Sequence, residues 1–302
     1  MGEVWGVLAA VLSSALGGTS IGATRYLVSA IDPLAIGSFR FGIGFVLLLP
    51  VALWQGGRWP ARRDWPAVAG LGVLFFALFP LLFNASLIFT TAARGALALS
   101  TLPLLTMVVG AALGSEALTL RKSLGVVIAM LGVALALLSG LAFAPPGAWR
   151  GDLLMVGAAL CMALYSIWSK PFIARSGPIS FTTMAMGVGA AWLIVVSCWR
   201  GSFAPVADFG MPQWLAATYL GAFGSALTFY LWAFALARTT PTRVAISVTV
   251  NPVAASLVGA VLLHEPLSWN LVGGIVTVFV GIWIATTSGR SLRPVTQVSR
   301  TY

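Results

Sequence analysis

The residues TAARGALALSTLPLL (91–105) return later in the chain, in altered form, as TPTRVAISVTVNPVAA (240–255). An offset of 149 residues superimposes the two segments, and the match extends without a gap from residues 71–140 onto residues 220–289. Apolar matches are expected by chance in so hydrophobic a chain. The informative matches involve rarer residues, namely Arg94 with Arg243, Pro103 with Pro252, Glu116 with Glu265, Gly125 with Gly274 and Gly132 with Gly281. The chain is therefore interpreted as a duplication of one unit.

Each unit contains five apolar runs long enough to cross about 30 Å of hydrocarbon, at about 20 residues per crossing. The predicted spans are 5–28, 34–54, 66–88, 92–113, 120–140, 151–174, 179–199, 212–236, 241–263 and 268–288. The first repeat covers residues 1–144, the second covers residues 145–289, and a tail follows at 290–302. Because five is odd, the second repeat enters the membrane from the opposite side. The predicted fold is an all-α integral membrane protein with ten transmembrane helices in two inverted five-helix repeats.

The composition excludes several other classes of protein. Of the 302 residues, 59% are hydrophobic and 8% charged, and the mean hydropathy is +0.99, whereas about a quarter of the residues of a soluble protein are charged. The basic residues are scattered singly, which argues against nucleic-acid binding. Cys161 and Cys198 lie inside apolar runs, without a histidine or another cysteine at ligand spacing. No disulfide, metal site or cofactor is expected.

The distribution of basic residues predicts the orientation in the membrane. Glu3 is the only charge before Arg25, which is unlike the positive start of a signal peptide, so the first span is expected to be retained. With the amino terminus in the cytoplasm, twelve of the seventeen Lys and Arg residues lie on the cytoplasmic side, namely Arg58, Arg62, Arg63, Arg121, Lys122, Lys170, Arg175, Arg238, Arg243, Arg290, Arg293 and Arg300. Both termini are therefore predicted to be cytoplasmic.

Pro103 and Pro252 lie near the middle of the fourth and ninth spans, where a proline removes one backbone hydrogen bond and kinks the helix. The freed carbonyl groups need other partners, and hydroxyl residues such as Ser100 and Thr249 lie close by in the sequence. Two kinked helices related by the repeat are suited to act as gates. The alternative is a pair of static kinks.

Three sets of residues carry a resemblance to a known family. They are the two quoted segments, the residues Gly114-Ser115-Glu116 and His264-Glu265-Pro266 that follow them, and Ser38-Phe39-Arg40-Phe41 in the second span. With these residues the chain resembles the EamA-type, ten-helix members of the drug/metabolite transporter superfamily, and it is similar to their YddG-type aromatic amino-acid exporters. The resemblance implies a multi-pass protein of the bacterial inner membrane. It also implies a basket of ten helices around a central cavity that is lined mainly by spans 1, 3, 4, 6, 8 and 9.

Polar side chains on those spans are candidates for substrate binding, because polar groups within a membrane need partners in the protein or in a water-filled cavity. Asn84 is the strongest candidate, since its own helix cannot satisfy the hydrogen-bonding positions of an amide. Serine in a membrane helix more often bonds to its own backbone, which is the alternative for the serines. The candidates are Ser20, Asn84, Ser100, Trp168, Tyr230, Trp232 and Asn251.

The charged side chains near the spans are interpreted as structural or interfacial. Arg40 lies about 10 Å inside the second span, at 1.5 Å per residue. It is expected to reach back to the outer interface. The alternatives are a hydrogen bond to loop carbonyl groups and, less favoured, a contact with substrate. The two glutamates are expected to cap the next helix or to pair with a nearby Arg or Lys. The group comprises Arg40, Arg94, Glu116, Lys170, Arg243 and Glu265.

The arrangement favours a carrier, because duplicated halves of inverted topology are typical of alternating-access transporters. The expected function is the export of amino acids, aromatic and other neutral ones, and of related small metabolites. All seven acids and the single histidine lie at span ends or in loops, so facilitated diffusion is favoured over proton-coupled export. A carrier for another metabolite, such as a nucleoside or an amphipathic drug, is the alternative, and a channel would differ by not saturating.

A membrane-embedded enzyme would need a nucleophile and a base, or a set of metal ligands, within the spans. The spans contain neither a histidine nor a cluster of acids, so the protein is not expected to be an enzyme. The expected partners are a small-molecule substrate, held in a cavity without net charge, and membrane lipid. The chain is expected to act as a monomer.

Overall fold

The computed structural model describes residues 2–90, 92–136, 146–254 and 269–286, and the regular structure within these ranges is helical. The helices are α1 (Gly2–Val28), α2 (Pro33–Trp54), α3 (Arg62–Phe89), α4 (Ala92–Leu99 and Leu102–Ala112), α5 (Leu120–Ala136), α6 (Ala148–Ser176), α7 (Pro178–Trp199), α8 (Met211–Leu236), α9 (Pro241–Ala245 and Ile246–Thr249, continuing to residue 254) and α10 (Trp269–Thr286). The predicted all-helical class is confirmed for these residues.

Six helices of the described chain, α1, α2, α3, α6, α7 and α8, are long and apolar enough to cross a membrane. They coincide with six of the predicted spans. The predicted spans 120–140, 241–263 and 268–288 extend beyond the described residues, and the predicted tail lies outside them.

Local sequence signals begin several of these helices. The Oδ1 atom of Asp32 accepts a hydrogen bond of 2.8 Å from the backbone N–H of Leu34, and Pro33 occupies the first turn of α2. Between α6 and α7, Gly177 adopts a φ of +83°, a conformation that disfavours other residues, and Pro178 begins the next helix. These two short turns connect consecutive helices without a longer loop.

Both prolines of the quoted segments lie beside a break in regular helix. In α4, residues 100 and 101 form a turn whose N–H groups bond to the carbonyl groups of Leu97 and Ala98. In α9, the corresponding stretch Ile246–Thr249 is a tighter 3₁₀ helix. Because proline lacks an N–H and its ring crowds the carbonyl four residues earlier, Pro103 and Pro252 account for both breaks.

Two further irregularities obey the same 149-residue offset. Leu74–Leu78 in α3 and Ala222–Leu227 in α8 are π-helical, and residues 74–78 correspond to 223–227. A π-helical turn widens the helix locally and often marks a functional region. Each π segment is followed directly by a residue that lines the cavity described below, Phe79 in α3 and Thr228 in α8.

Four glycines hold α5 against α10. A Cβ atom added to Gly125 would lie 2.7 Å from the carbonyl oxygen of Gly281, and one added to Gly132 would lie 3.0 Å from that of Gly274. Small residues allow membrane helices to approach this closely. The offset relates Gly125 to Gly274 and Gly132 to Gly281, so the contact is reciprocal, as in a two-fold arrangement.

Candidate functional site: the central cavity

A cavity lies among α1, α2, α3, α4, α6, α8 and α9, and its volume is about 40 Å³. This volume has room for roughly three water molecules at 10–15 Å³ each, whereas cavities that hold small ligands measure roughly 300–1,000 Å³. The cavity in this structure is therefore too small for such a ligand. The lining residues are Ser13, Ser14, Gly17, Ile21, Arg40, Phe79, Phe83, Leu99, Met162, Thr228, Phe229, Trp232, Val248 and Asn251.

The cavity wall draws on equivalent positions of both repeats. The resemblance implied all of its helices except α2, which contributes through Arg40. The paired positions differ in polarity, since two phenylalanines of α3 correspond to a threonine and a tryptophan of α8. The pairs at an offset of 149 residues are Ser13 with Met162, Phe79 with Thr228, Phe83 with Trp232 and Leu99 with Val248.

Most hydroxyl groups at the cavity are already used within the protein. Ser13 donates a hydrogen bond of 2.8 Å to the carbonyl group of Thr228, and Ser14 bonds to Ser247 at 2.8 Å. The Nε1 atom of Trp232 donates to Ser166 at 3.3 Å. The exception is Asn251, whose buried Oδ1 atom accepts no hydrogen bond from the described residues. Asn251 therefore lines the cavity with a buried acceptor that lacks a donor among the described residues.

Arg40 is buried, with 4% of its surface exposed, and it lines the cavity. Its Nε and Nη2 atoms donate to the carbonyl oxygen of Gly224 at 3.1 and 2.6 Å, and its Cζ atom lies 5.5 Å from the ring centre of Phe41 and 5.8 Å from that of Phe229. The expectation that Arg40 reaches the outer interface is wrong, because α2 packs against the π segment of α8 at this level. The expectation of a cavity without net charge is also wrong, because the charged side chain of Arg40 lines this cavity.

Among the other predicted substrate-binding residues, Trp232 and Asn251 line the cavity. Ser20 lies beside it on α1, bonds to the carbonyl of Leu16 at 2.8 Å and contacts Gly224 of the π segment. Ser100 is fully buried next to the lining residue Leu99, in the break of α4. Two of these four residues thus line the cavity, and the other two lie near its lining residues in the sequence or in the packing.

Three other predicted residues are placed elsewhere. Trp168 is 44% exposed on the outer side of α6, because it lies about 200° around the helix from Ser166, which is buried and accepts a hydrogen bond from the lining residue Trp232. Tyr230 is turned from Trp232 by the same angle and packs near Phe234, with ring centres 6.2 Å apart. Neither ring belongs to the cavity wall that the described residues form.

Asn84 is fully buried but belongs to a helix contact. Its Nδ2 atom donates a hydrogen bond of 3.0 Å to the carbonyl of Pro33, which joins α3 to the start of α2. Its position next to the lining residue Phe83 turns it about 100° away from the cavity. The expectation that Asn84 lines the cavity is therefore corrected.

Polar contacts close the end of the molecule at which α1 begins. Arg243 at the start of α9 pairs with Glu3 of α1, and Lys170 of α6 donates to the carbonyl of Thr239 at 2.7 Å. Glu116 is buried between two donors, the Nζ atom of Lys122 at 2.8 Å and the backbone N–H of Thr242 at 2.9 Å. These contacts join α1, α6 and α9 to the corner between α4 and α5.

The opposite end repeats one of these contacts. The Oγ1 atom of Thr90 donates to the Oδ1 atom of Asp152 at 3.0 Å, and Thr239 donates to Glu3 at 3.5 Å. The offset of 149 residues relates both pairs. Sequence reasoning did not identify them, although an acid repeated at the start of α1 and α6 is a signal for the contact. Arg94 lies in the first turn of α4, which begins at Ala92, and Glu265 lies outside the described residues.

The EamA-like transporter family matches the chain at residues 4–138 and 149–287. The chain is 27% identical over 285 residues to an uncharacterized transporter of Archaeoglobus fulgidus, covering 93% of this chain and 97% of that protein. It is 24% identical over 273 residues to the uncharacterized transporter YyaM of Bacillus subtilis, covering 89% of each.

A third relative is described by its substrate. This is a probable terminal-alkyne amino-acid exporter of Streptantibioticus cattleyicolor, which is 27% identical over 278 residues, covering 90% of this chain and 89% of that protein. A protein of known crystal structure superimposes with a TM-score of 0.73 at 22% identity, over 93% of this chain and 96% of that one. This likeness shows that the two share a fold.

Proposed function

Because the chain belongs to the EamA-like transporter family, we propose that it is a carrier that exports amino acids, aromatic and other neutral ones, and related metabolites across the bacterial inner membrane. The observation that carries the proposal is the central cavity, whose wall combines equivalent positions of both repeats. The amino-acid exporter among the relatives supports the substrate class.

The proposed topology has ten transmembrane helices in two inverted repeats, residues 1–144 and 145–289, with both termini in the cytoplasm. The paired π segments and the reciprocal glycine contacts of α5 and α10 support this arrangement. The end at which α1 begins is then the cytoplasmic end. Its contacts form the cytoplasmic gate, and the Thr90–Asp152 contact belongs to the outer gate.

Transport by this carrier requires the cavity to enlarge and one end to open at a time. The cavity of about 40 Å³ cannot hold an amino acid, so substrate enters only after contacts such as those of Glu116 have broken. The breaks beside Pro103 and Pro252 let parts of α4 and α9 tilt without losing further backbone hydrogen bonds. Each proline thus serves one gate.

The test uses the purified protein in proteoliposomes, with radiolabelled L-tryptophan, L-threonine and uridine in counterflow. We expect saturable exchange of the amino acids, at a rate that an imposed pH gradient leaves unchanged. Liposomes without protein give the background. Flux that rises linearly with concentration would indicate a channel. Exchange of uridine without exchange of amino acids would show that the substrates are nucleosides and not amino acids.

A further inference from the structure

Arg40 is a buried cation of the cavity wall that lacks an acidic partner among the described residues. Ion pairs of the described chain include those of Glu3, Asp64 and Glu116, near helix ends, and none of these includes Arg40. A guanidinium group has five N–H donors. Two of them reach the carbonyl of Gly224, so three remain without an acceptor among the described residues. A charge within a membrane is costly and usually has a functional role.

The fold does not require an arginine at this position. The helices α2 (Pro33–Trp54) and α7 (Pro178–Trp199) have equal lengths and correspond at an offset of 145 residues, which relates Arg40 to Ala185 of α7. Ala185 is fully buried, and a Cβ atom added to Gly72 of α3 would overlap its carbonyl oxygen. The second repeat therefore has an alanine at the equivalent helix contact. Arg40 is an addition to one copy of a shared scaffold.

Asn251 provides the complementary group at the same cavity. It is 7% exposed, and its Oδ1 atom lacks a donor in the described part of the chain. Gly17 of α1 packs against the amide group of Asn251, because a Cβ atom added to Gly17 would lie 3.4 Å from the Nδ2 atom. The offset relates Asn251 to Leu102, so this polar group is also present in only one repeat. Among the described residues, a side chain with an unpaired acceptor and a side chain with unpaired cationic donors thus line one small cavity.

We propose that Arg40 binds the carboxylate of the transported solute and that Asn251 accepts a hydrogen bond from its amino group. The inference rests on the proposed function, since it takes the cavity as the transport site. Arginine and carboxylate form paired, charge-assisted hydrogen bonds. The apolar wall of Phe79, Phe83 and Trp232 then surrounds the side chain of the solute. The carrier selects α-amino acids over amines that lack a carboxylate.

The test compares three probes that share an indole ring: L-tryptophan, tryptamine without the carboxylate, and indole-3-propionate without the amino group. Their ability to compete in tryptophan counterflow is measured for the wild-type protein, for Arg40→Gln and for Asn251→Ser. Arg150→Gln, at an exposed arginine, is the matched control. We expect tryptamine to compete at least tenfold more weakly than tryptophan in the wild-type protein and in the control.

In Arg40→Gln, we expect the KM for tryptophan to rise at least tenfold and the preference over tryptamine to vanish. In Asn251→Ser, the KM for tryptophan is expected to rise while competition by indole-3-propionate stays unchanged. General damage to the fold would not separate the probes in this way. If Arg40→Gln does not fold, Arg40→Lys, which keeps the charge, must retain the preference over tryptamine.

Unchanged KM values in Arg40→Gln would overturn the carboxylate site and leave the proposed function standing. Equal competition by tryptamine and tryptophan in the wild-type protein would overturn it as well. A wild-type protein that exchanges none of the amino acids would refute the proposed function, and the inference with it.

Discussion

Replacing Glu116 by glutamine should open the end of the molecule at which α1 begins. Both carboxylate oxygens accept hydrogen bonds, Oε1 from Thr242 and Oε2 from Lys122. Glutamine offers one oxygen, and the charged Lys122 competes for it better than a backbone N–H. The NH₂ group then faces the N–H of Thr242, so the contact between α9 and the corner of α4 and α5 is lost.

The size of the effect follows from this one contact. The bond from Lys122 stays within the corner between α4 and α5 and does not change on opening, whereas the bond from Thr242 must break. A hydrogen bond to a charged group contributes about 1.5–3 kcal/mol. The open fraction should therefore rise about 10- to 150-fold, because 1.4 kcal/mol corresponds to about a factor of ten.

The assay is the reaction of a cavity cysteine with an impermeant thiol reagent. Val248→Cys places a thiol of similar size on the wall, in a background that lacks Cys161 and Cys198. In inside-out vesicles, Glu116→Gln should raise the labelling rate at least tenfold. Asp64→Asn is the control, because its ion pair with the half-exposed Arg175 contributes at most about 1 kcal/mol. Equal rates with and without Glu116→Gln, or faster labelling from both sides, would refute the reasoning.

Three further changes test other parts of the structure. Alanine at Pro103 or Pro252 restores a backbone hydrogen bond and should slow exchange at least fivefold with little change in binding; wild-type turnover would show static kinks. Trp232→Ala should raise the KM for tryptophan at least tenfold while Trp168→Ala, on the outer surface, leaves it within twofold; equal effects would contradict the assignment of the wall. Gly281→Leu would overlap the backbone of α5 and should lower the melting temperature in detergent by more than 5 °C, and an unchanged value would contradict the close packing.

The repeat made much of the fold predictable from sequence. It paired Gly125 with Gly274 and Gly132 with Gly281 before any helix contact was known, and the structure joins all four in one interface. Proline chemistry located the breaks in α4 and α9. The π segments could not be predicted, because the sequence of residues 74–78 is ordinary apolar helix and the widened turn depends on packing.

The candidate site was less predictable, because hydropathy identifies a span but does not say which side of it faces the cavity. Trp168 and Ser166 differ by two positions, and only the packed structure shows that Ser166 faces inward. Arg40 was misjudged for a related reason. Its acceptor, Gly224, lies 184 residues away, so depth in the span was the only guide, and depth alone favoured the membrane interface.

The differences between the repeats also bear on the direction of transport. At the end where α1 begins, Glu116 is held by Lys122 as well as by Thr242. The offset relates Lys122 to Leu271, so the sequence of the second repeat provides no cation at the equivalent position. We therefore expect the gate beside α1 to be the more stable of the two. A carrier whose cytoplasmic gate closes more firmly spends more time open to the outside, which is the state in which an exporter releases its substrate.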